Sequence, residues 1–522
     1  MVSRKSFTAQ GVILLLLLVA HVSSAGKVLV LSMQMSGHLT EFGAVGEELI
    51  RMGHEVHVVL DENLRTPYQL RDKGFKFFRY RSPDKDRVST SKFDSLFSEQ
   101  IVSESWDEWK FLHTVYRPRI TYDCNLTLHD EVMIEAIRKE KFDVALVEGL
   151  FFCYHLLPYR LGIPIITLST ALYPGLTRLY PPFTVISCGI TKETNTIWNR
   201  INMLITAYNE EDFAAQTLHE SVFLDYLPGR HVKNLYEIAL ETKLWLICLD
   251  NILDCPRPAM PNLKWVGGLD VRPAKPLEAD LEKFVSDAKE GVIIVSFGSM
   301  LSTLPKKYLD KFLAAFKQLP QKVVWRLSAI AQDGVTFPPN VKPMMWLPQN
   351  DLLGHKNTKL FITHSGNNGQ WEGFYHGVPM LGFPTFGDQG YNTNRIIQKG
   401  FGLGLNLRDF TTDELVENIQ ELLTNQTYQQ NIRKATQLFR NQPHPRKVAA
   451  GYVDEAIRFG TDHFQSPASD LHYAQYLMLD IYALVTAVLL FIVFLLKKLV
   501  RALLRCVLNP SAGTHKSDKK TQ

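Results

Sequence analysis

Short apolar runs alternate with helical patterns in two separate stretches of this chain, and this alternation limits the folds open to it. The first stretch opens with an apolar run at 27–32 (KVLVLS), followed by a helical pattern over about 39–52. Further predicted strands, rich in apolar residues, lie at 54–60, 144–147 and 165–168, and in the second stretch at 291–296, 322–327, 360–363 and 380–383. Such runs are typical of strands buried on both faces, and their alternation with helices predicts parallel sheets. We therefore predict an α/β fold with two Rossmann-like domains.

A proline-rich connector separates the two stretches. Five prolines lie between residues 256 and 276, as in a linker between domains. Ligands of open parallel sheets bind beyond the carboxyl ends of the strands, so the two domains should face each other across a cleft. We expect the loop 34–38 to line one side of this cleft, and the loops 297–300 and 364–369 to line the other.

Apolar segments at the two ends of the chain predict an export signal and a membrane anchor. Arg4 and Lys5 precede the apolar run 12–20, and small residues follow it up to Ala25, as in a secretory signal peptide that is cut after Ala25. A second apolar segment, 478–500, is just long enough to cross a bilayer of roughly 30 Å, and basic residues follow it as on a cytosolic flank. An uncleaved anchor and a buried core helix are the respective alternatives.

Composition excludes several classes of protein. A formal net charge of +4 over 522 residues, without a dense basic run in the main body, gives no support for nucleic-acid binding. Six cysteines are too few for a disulfide framework, and their spacing does not match a structural zinc site. We expect buried thiols with at most one disulfide, whose pairing the sequence leaves open.

Short patterns predict glycosylation and retention. Asn125 and Asn425 each begin an Asn-X-Thr triplet, the acceptor pattern for N-glycosylation. Lys519 and Lys520 stand fourth and third from the carboxyl terminus, which resembles the dilysine retrieval signal of resident reticulum proteins. A solvated charge cluster is the alternative reading of these two lysines.

A turn of small residues carries the strongest local indication of chemistry. Residues 363–369 (THSGNNG) lie between a predicted strand and a predicted helix. Small side chains let the backbone approach a ligand closely, and free N–H groups at a helix start bind anions such as a pyrophosphate. The chain has no evident paired-aspartate motif for a divalent ion. We therefore expect the helix terminus to neutralise the phosphates without a metal.

The segment around this turn resembles the signature of the UDP-glycosyltransferases, and in particular of the animal UDP-glucuronosyltransferases. Residues 346–392 open with WLPQNDLLGH, contain FITH and YHGVP, and close with FGDQ, while 256–262 (PRPAMPN) and 296–300 (SFGSM) resemble further landmarks of the family. The resemblance implies a GT-B fold of two facing Rossmann-like domains with one C-terminal transmembrane helix. In chain order it implies a signal peptide (1–25), an acceptor-binding domain (26–255), a linker (256–278), a UDP-sugar-binding domain (279–450), a helical return and juxtamembrane segment (451–477), a transmembrane helix (478–500) and a cytosolic tail (501–522).

The resemblance assigns the UDP-sugar to the second domain. Trp346 would stack on the uracil ring, Gln349 would bind the edge of the base, and Glu372 would accept from the ribose hydroxyls. A core position for Trp346 and ordinary helix-dipole chemistry for Glu372 are the alternatives. The resemblance assigns phosphate contacts to Ser299, His364, Asn368 and Gly369, and contacts to the transferred sugar to Asp388 and Gln389.

The resemblance places the catalytic base in the first domain, at His38. A neutral imidazole takes a proton from a hydroxyl near neutral pH, and one direct displacement then inverts the anomeric carbon. The family pairs this histidine with an aspartate, and the matching position here carries Glu148, which is longer by one methylene. His54 and His57 fit structural roles.

These features predict an inverting, metal-independent UDP-glycosyltransferase anchored in the endoplasmic reticulum membrane with its catalytic body in the lumen. It would move a hexose, with glucuronic acid as the first choice, to a hydroxyl of a small lipophilic acceptor. The UDP-sugar is a co-substrate, and no cofactor is expected. Homo- and hetero-oligomers are both compatible with the sequence. Two alternatives stay open: a lipid-directed hexosyltransferase resembling ceramide galactosyltransferase, and a non-catalytic binding protein on the same scaffold.

Overall fold

Two parallel sheets organise the part of the chain that the structure describes. The structure is a computed structural model, and it describes residues 25–34, 36–83, 107–111, 114, 117–149, 152–170, 196–199, 201–202, 226–227, 238, 241–254, 256–298, 301 and 303–508. Residues 1–24 of the predicted signal peptide, Ser299, Lys519 and Lys520 lie outside the described residues. The predictions for them are carried forward as predictions.

The first sheet has β1 near its centre, and its strands run parallel in the order β3-β2-β1-β4-β5-β6-β7. Its strands are β1 (Lys27–Leu31), β2 (Glu55–Asp61), β3 (Lys76–Tyr80), β4 (Val144–Glu148), β5 (Ile165–Ser169), β6 (Leu244–Ile247) and β7 (Leu263–Trp265). The α-helices described in this part of the chain are α1 (Ser36–Arg51), α2 (Glu108–Phe111), α3 (Arg117–His129), α4 (Glu131–Glu140) and α5 (Leu156–Leu161). Phe111 of α2 belongs to an apolar core of the second sheet. The strand order places β1 and β4 side by side, so their carboxyl ends meet at one edge.

The second sheet repeats this plan, with parallel strands in the order β10-β9-β8-β11-β12-β13. Its strands are β8 (Val292–Ser296), β9 (Lys322–Arg326), β10 (Val341–Met344), β11 (Thr358–Thr363), β12 (Met380–Gly382) and β13 (Gly402–Gly404). Its helices are α6 (Ala279–Ser286), α7 (Lys306–Phe316), α8 (Ala329–Gln332), α9 (Gln349–Leu353), α10 (Asn367–His376), α11 (Gln389–Gln398), α12 (Thr412–Thr424) and α13 (Gln426–Arg440). The two parallel sheets predicted from the sequence are therefore confirmed.

Burial on both faces of the strands explains the continuous apolar runs. In β1, Leu29 and Leu31 belong to a core on one face, while Val28 and Val30 belong to a core on the other. Successive strand residues point to opposite faces, so a strand covered on both sides must be apolar at every position. The second sheet is likewise packed between two apolar cores.

Several element boundaries differ from those that the sequence predicts; α10, for example, begins at Asn367 and not at about Gly369. β7 lies inside 256–278, the segment predicted as a linker, and pairs with β6 at the edge of the first sheet. The helix predicted from about Leu39 begins at Ser36 instead. His38 therefore lies in the first turn of α1 and not in the preceding loop, because the small residues Ser36 and Gly37 already have helical geometry.

A late helix returns to the first domain. α14 (Pro445–Phe459) packs beside α1, and its Ala449 and Val453 belong to a core shared with that helix. His54 joins α14 to the first sheet, since its Nδ1 accepts from the Gly26 N–H (3.0 Å) and its Nε2 lies 3.0 Å from Asp454 Oδ1. This contact gives His54 the structural role that was expected from the sequence.

One disulfide and one long apolar helix complete the described chain. Cys124 of α3 is bonded to Cys153, with their Cα atoms 6.2 Å apart. α15 (Tyr473–Tyr476) precedes α16 (Leu479–Leu508), a helix of 30 residues that packs against no core. By length and composition α16 is a candidate membrane span that contains most of the predicted segment 478–500.

Candidate active site

Hydrogen bonds join the carboxyl edges of the two sheets. The side chain of Asn368, in the first turn of α10, donates to the backbone oxygen of Gly37 in α1 (2.9 Å). Trp371 Nε1 and Asn367 Nδ2, also on α10, donate to the backbone oxygen of Cys248, just past β6 (3.3 and 3.4 Å). The helix start that follows β11 is therefore held directly against the helix start that follows β1.

His38 and Glu148 form a pair at this junction. Glu148 is the last residue of β4, and its Oε2 lies 2.9 Å from His38 Nδ1. The Glu148 carboxyl is fully buried, while the His38 side chain keeps 16% of its surface exposed. When Nδ1 donates to the carboxylate, Nε2 carries the lone pair of the imidazole. The longer glutamate thus reaches the histidine within ordinary hydrogen-bond distance.

The charges around His38 favour its protonated form. Burial alone lowers the pKa of His38, but the charge of Glu148, its hydrogen bond, and the carboxyls of Glu41 and Asp388 outweigh burial. Together they raise the pKa of His38 to about 9. Only the neutral imidazole can accept a proton, so the base form becomes more abundant as the pH rises towards that value.

Sequence reasoning missed Glu41, a second buried carboxyl beside His38. It lies one turn further along α1, is 2% exposed, and accepts from Cys248 Sγ (3.4 Å). Burial raises the pKa of Glu41 to about 8, with the charge of His38 opposing the shift and that of Glu148 adding to it. The spacing of three residues from His38 on one helix was the available signal.

His364 follows β11 and lies between two glycines. A Cβ atom at Gly298 would come within 2.6 Å of His364 Nε2, and one at Gly366 within 2.5 Å. Gly298 also has a φ of +77°, which favours glycine. Burial and the nearby Arg326 guanidinium lower the pKa of His364 to about 4, so the ring is neutral at physiological pH. A neutral imidazole offers one N–H to an acceptor such as a phosphate oxygen.

Replacing Gly298 with alanine should damage this part of the site. The positive φ costs about 1–2 kcal/mol for a residue with a Cβ, and the added methyl would force the His364 ring to move. We expect a lower melting temperature and weaker UDP binding, measured by thermal unfolding and calorimetry. Gly451→Ala on α14 is the control, because a Cβ there meets no atom within 4 Å. Equal melting temperatures and equal UDP affinities for the two variants would contradict this account.

The start of α10 presents free backbone donors. Gly366 is the N-cap residue, and no side chain caps the helix. The first N–H groups of a helix have no partner within it, and they bind anions. The side chain of Asn368 is engaged with Gly37, so a phosphate contact from this residue would use its backbone N–H. Gly369 lies in the same first turn, and its predicted phosphate contact would also come from the backbone.

Trp346 is 54% exposed, which excludes a role as an ordinary core residue. The Arg326 guanidinium lies 5.3 Å from the centre of its ring, and Tyr68 of the first domain meets it edge-on at 5.6 Å. Arg326 was not identified from the sequence. It ends β9, bonds to the Gly298 backbone oxygen and lies near His364, so it adds a positive charge to the predicted phosphate site.

Gln349 and Glu372 contact each other directly. Gln349 Nε2 donates to Glu372 Oε2. Burial raises the pKa of Glu372 to about 7, although the Gln349 hydrogen bond and the charge of Arg272 oppose this shift. The residues predicted to bind the base and the ribose therefore lie next to each other, as a single nucleoside would require.

Asp388 and Gln389 stand at the start of α11. Asp388 Oδ2 accepts from Asn392 Nδ2 (2.7 Å), and burial raises the pKa of Asp388. Gln389 Oε1 accepts from the backbone N–H and the hydroxyl of Thr385 (2.9 and 2.7 Å). This oxygen therefore fixes the loop that precedes α11. The predicted contact between Gln389 and the sugar would come from the side-chain nitrogen of Gln389.

A buried network of side-chain hydrogen bonds connects α11 to the start of α10. Arg395 of α11 donates to Asn367 Oδ1 (2.9 Å) and to Gln370 Oε1 (2.8 Å). Among the residues that the structure describes, no group of three or more His, Cys, Asp or Glu side chains is arranged to hold a metal ion. The positive groups identified near the predicted phosphate position are the helix start and Arg326.

Comparisons with known proteins show the family to which the chain belongs. The family described as UDP-glucoronosyl and UDP-glucosyl transferase matches residues 26–512. UDP-glucuronosyltransferase 2A3 of Cavia porcellus is 32% identical over 91% of this chain and 92% of its own length. The 2-hydroxyacylsphingosine 1-beta-galactosyltransferase of Mus musculus is 30% identical over 90% and 88%, respectively.

Solved structures share the fold. A calicheamicin glycosyltransferase superposes with a TM-score of 0.56 at 17% identity, and it covers 83% of this chain and 99% of its own. A UDP-glucosyltransferase from Polygonum tinctorium gives a TM-score of 0.56 at 15% identity with the same coverage. The predicted GT-B architecture is thus confirmed. The chain belongs to the UDP-glucoronosyl and UDP-glucosyl transferase family and is a UDP-glycosyltransferase.

Proposed function

We propose that this enzyme moves a hexose from a UDP-sugar to a hydroxyl of a small lipophilic acceptor, with inversion and without a metal ion. The observation that carries the proposal is the 2.9 Å contact between His38 and the buried Glu148. His38 belongs to the same helix turn as Gly37, which is hydrogen-bonded to Asn368 of α10. A base in one domain and an anion-binding helix start in the other are thereby close neighbours.

His38 is the proposed base. Its Nε2 takes the proton of the acceptor hydroxyl, and the oxygen attacks the anomeric carbon from the face opposite UDP. The bond from oxygen to carbon forms as the bond from carbon to the UDP oxygen breaks, so the configuration inverts. The Glu148 carboxylate stabilises the imidazolium that results, in the manner of a triad.

The second domain is proposed to bind the donor and to stabilise the leaving UDP. The backbone N–H groups of Asn368 and Gly369, together with His364, would face the diphosphate, and Ser299 is proposed to contribute from the neighbouring loop. Charge develops on the phosphate oxygen as UDP leaves, and fixed donors aimed at it lower the barrier. Asp388 and Gln389 are proposed to hold the transferred sugar near His38. The carboxyl of Asp388 is close enough to His38 to help raise its pKa.

Trp346→Ala should raise the KM for the donor and leave kcat nearly unchanged. Stacking of a base on an aromatic ring contributes about 1–3 kcal/mol, which corresponds to roughly a 5- to 150-fold change. The measurement is the initial rate as a function of UDP-sugar concentration. Phe459→Ala removes an aromatic ring that is 73% exposed on α14 and serves as the control. An unchanged KM for the donor in Trp346→Ala would rule out stacking at this position.

Glucuronic acid is the proposed donor sugar, since several relatives are named UDP-glucuronosyltransferases. Galactose transfer to a sphingolipid is the second candidate, because 2-hydroxyacylsphingosine galactosyltransferases match over a similar share of the chain. A non-catalytic binding protein is disfavoured by the paired His38 and Glu148, which a pure binding site does not need.

A donor panel separates these three functions. Membranes containing the protein are incubated with UDP-glucuronic acid, UDP-glucose, UDP-galactose or UDP-N-acetylglucosamine, each with a phenol or a ceramide, with and without a chelator. We expect UDP release and a phenyl β-glucuronide. A galactosylceramide product would support the lipid-directed alternative, and the absence of product with every pair would support the binding protein. Activity that is lost on chelation would contradict the metal-independent reaction.

We also propose that the protein is a single-pass endoplasmic reticulum membrane protein with its body in the lumen. The apolar α16, with Lys497 and Lys498 in its second half, supports one span with a basic cytosolic flank. The Cys124–Cys153 disulfide supports an oxidising compartment for the body. Retrieval through Lys519 and Lys520 is part of this proposal. Protease protection of the body in intact microsomes tests the orientation.

Glycosylation at Asn125 and Asn425 is proposed for the same compartment. Asn125 is exposed on α3, and Asn425 lies between α12 and α13, where its side chain accepts from the Thr427 N–H (3.0 Å). Endoglycosidase treatment of the wild-type protein and of the two Asn→Gln variants shows by gel mobility which of these asparagines carries a glycan.

A further inference from the structure

Glu41 occupies a point where three elements of the two domains meet. It belongs to α1, and its carboxyl contacts Cys248 Sγ beyond β6 (3.4 Å) and the side chain of Asn367 at the start of α10. The backbone oxygen of Cys248 in turn accepts from Trp371 of α10. Glu41 therefore lies between the helix that carries the proposed base and the helix proposed to bind the diphosphate.

The carboxyls around His38 cannot all be ionised without strong repulsion. Glu148 faces the imidazole from β4, Glu41 from the next turn of α1, and Asp388 from the start of α11, while Cys248 is the titratable group that faces Glu41 from beyond β6. Glu41 and Glu148 are 2% and 0% exposed. Like charges in a buried site share protons, so that one of the carboxyls stays neutral. Glu148 contacts the imidazole directly, and Asp388 accepts from Asn392 Nδ2 (2.7 Å). Burial raises the pKa of Glu41 to about 8, so Glu41 is the carboxyl that retains a proton.

We propose that Glu41 is a positioning residue that sets the proton affinity of His38, and that its protonated form keeps the base available to the acceptor. This inference rests on the proposed role of His38. When Glu41 ionises, the imidazolium gains a second anionic neighbour and holds its proton more tightly. When Glu41 is neutral, only Glu148 and Asp388 act on the ring, and His38 loses its proton at a lower pH.

The pH dependence of kcat/KM distinguishes this role from a merely structural one. Glu41→Gln copies the shape of the protonated carboxyl and cannot ionise. We expect the acidic limb of the kcat/KM profile of this variant to move to lower pH by about one unit. This is the lower end of the pKa shift that a nearby charge causes. Its plateau should stay within about threefold of wild type, so near pH 8, where Glu41 of the wild type begins to ionise, the variant should be the more active enzyme. Glu41→Asp keeps an ionisable group, so the acidic limb of its profile should lie close to the wild-type pH.

A second variant keeps the test decisive if Glu41→Gln folds poorly. Cys248→Ala removes the sulfhydryl that donates to the Glu41 carboxylate, so Glu41 should retain its proton to higher pH. The limb should then move in the same direction, by less. All variants are assayed as full-length protein in membranes, with melting temperature and UDP binding as controls for folding.

The outcomes separate this inference from the proposed function. An inactive His38→Ala together with unchanged limbs in Glu41→Gln and Cys248→Ala would overturn the role of Glu41 and leave the base intact. A uniform loss of activity in Glu41→Gln at every pH would show that Glu41 only supports the fold. Near-normal turnover in His38→Ala would overturn both proposals.

Discussion

His38→Ala should abolish sugar transfer while UDP binding persists. General-base catalysis contributes about 10²–10⁴-fold, and a buried site offers no ready substitute for the lost imidazole. The side chain of His38 lies in α1 and contacts Glu148, whereas the residues predicted to bind UDP lie in the second domain. We therefore expect kcat to fall by about this factor and the Kd for UDP to remain within about twofold.

Turnover with UDP-glucuronic acid and a phenol, alongside calorimetric titration with UDP, measures both quantities. His463→Ala is a matched control, because His463 is 41% exposed and contacts Glu455 (2.9 Å) and the ring of Phe464, away from the proposed site. That variant should retain wild-type turnover. If His38→Ala also retained it, the base would be another group.

Glu148→Gln should cause a loss of similar size, a fall in kcat of about 10²–10⁴-fold, as when a triad loses its acidic member. The amide preserves the volume of the side chain but removes the negative charge that stabilises the imidazolium. The same charge raises the pKa of His38, so its removal lowers that pKa. The acidic limb of the remaining activity should then appear at a lower pH than in the wild type, although the maximum rate is much smaller.

Glu148→Asp tests the reach of the glutamate. The carboxylate retains its charge but retracts by about 1.5 Å, the length of one carbon–carbon bond, from a contact that is now 2.9 Å. We expect an intermediate loss of kcat, since the site is fully buried and a single methylene cannot be recovered by free movement. Wild-type kcat in both Glu148 variants, measured in the same assay, would show that His38 acts without this partner.

Most of the described strands could be predicted from the sequence, because both faces of each sheet are covered. β1 and β8 appear as continuous apolar runs, and such runs indicate buried strands without any knowledge of the partners. The strands β3, β6, β7, β10 and β13 were missed. β7, for example, has only three residues between prolines, which is too short to show a period. The position of the cleft could be predicted from topology alone. Ligands bind beyond the carboxyl ends of parallel strands, so these ends of the two sheets were expected to face each other.

The site could be predicted only in part. The family resemblance supplied the position of His38. The start of its helix was predicted at about Leu39, whereas the helix begins at Ser36. Sequence patterns locate helix ends poorly when small residues precede the apolar face. Glu41 was missed because its burial depends on Cys248 and Asn367, which are distant in sequence. Arg326 could have been found, since it is a charged residue at the carboxyl end of a buried strand.

The interdomain contacts were beyond sequence reasoning. Asn368 was expected to contact a phosphate, and nothing in the sequence indicated that its side chain donates to Gly37 of the other domain. Gln389 was expected to bind the transferred sugar, and its oxygen also accepts from Thr385, four residues earlier in the same domain. The partner of Asn368 is 331 residues away in the chain, so this contact forms only when the two domains are folded together.

A structure of the full chain with UDP and a phenol bound tests most directly whether the base on α1 and the helix start of α10 serve one reaction. We expect the β-phosphate within about 3 Å of the first backbone N–H groups of α10, and the phenol oxygen within about 3 Å of His38 Nε2. A diphosphate bound away from α10, or a phenol separated from His38 by other side chains, would contradict the account.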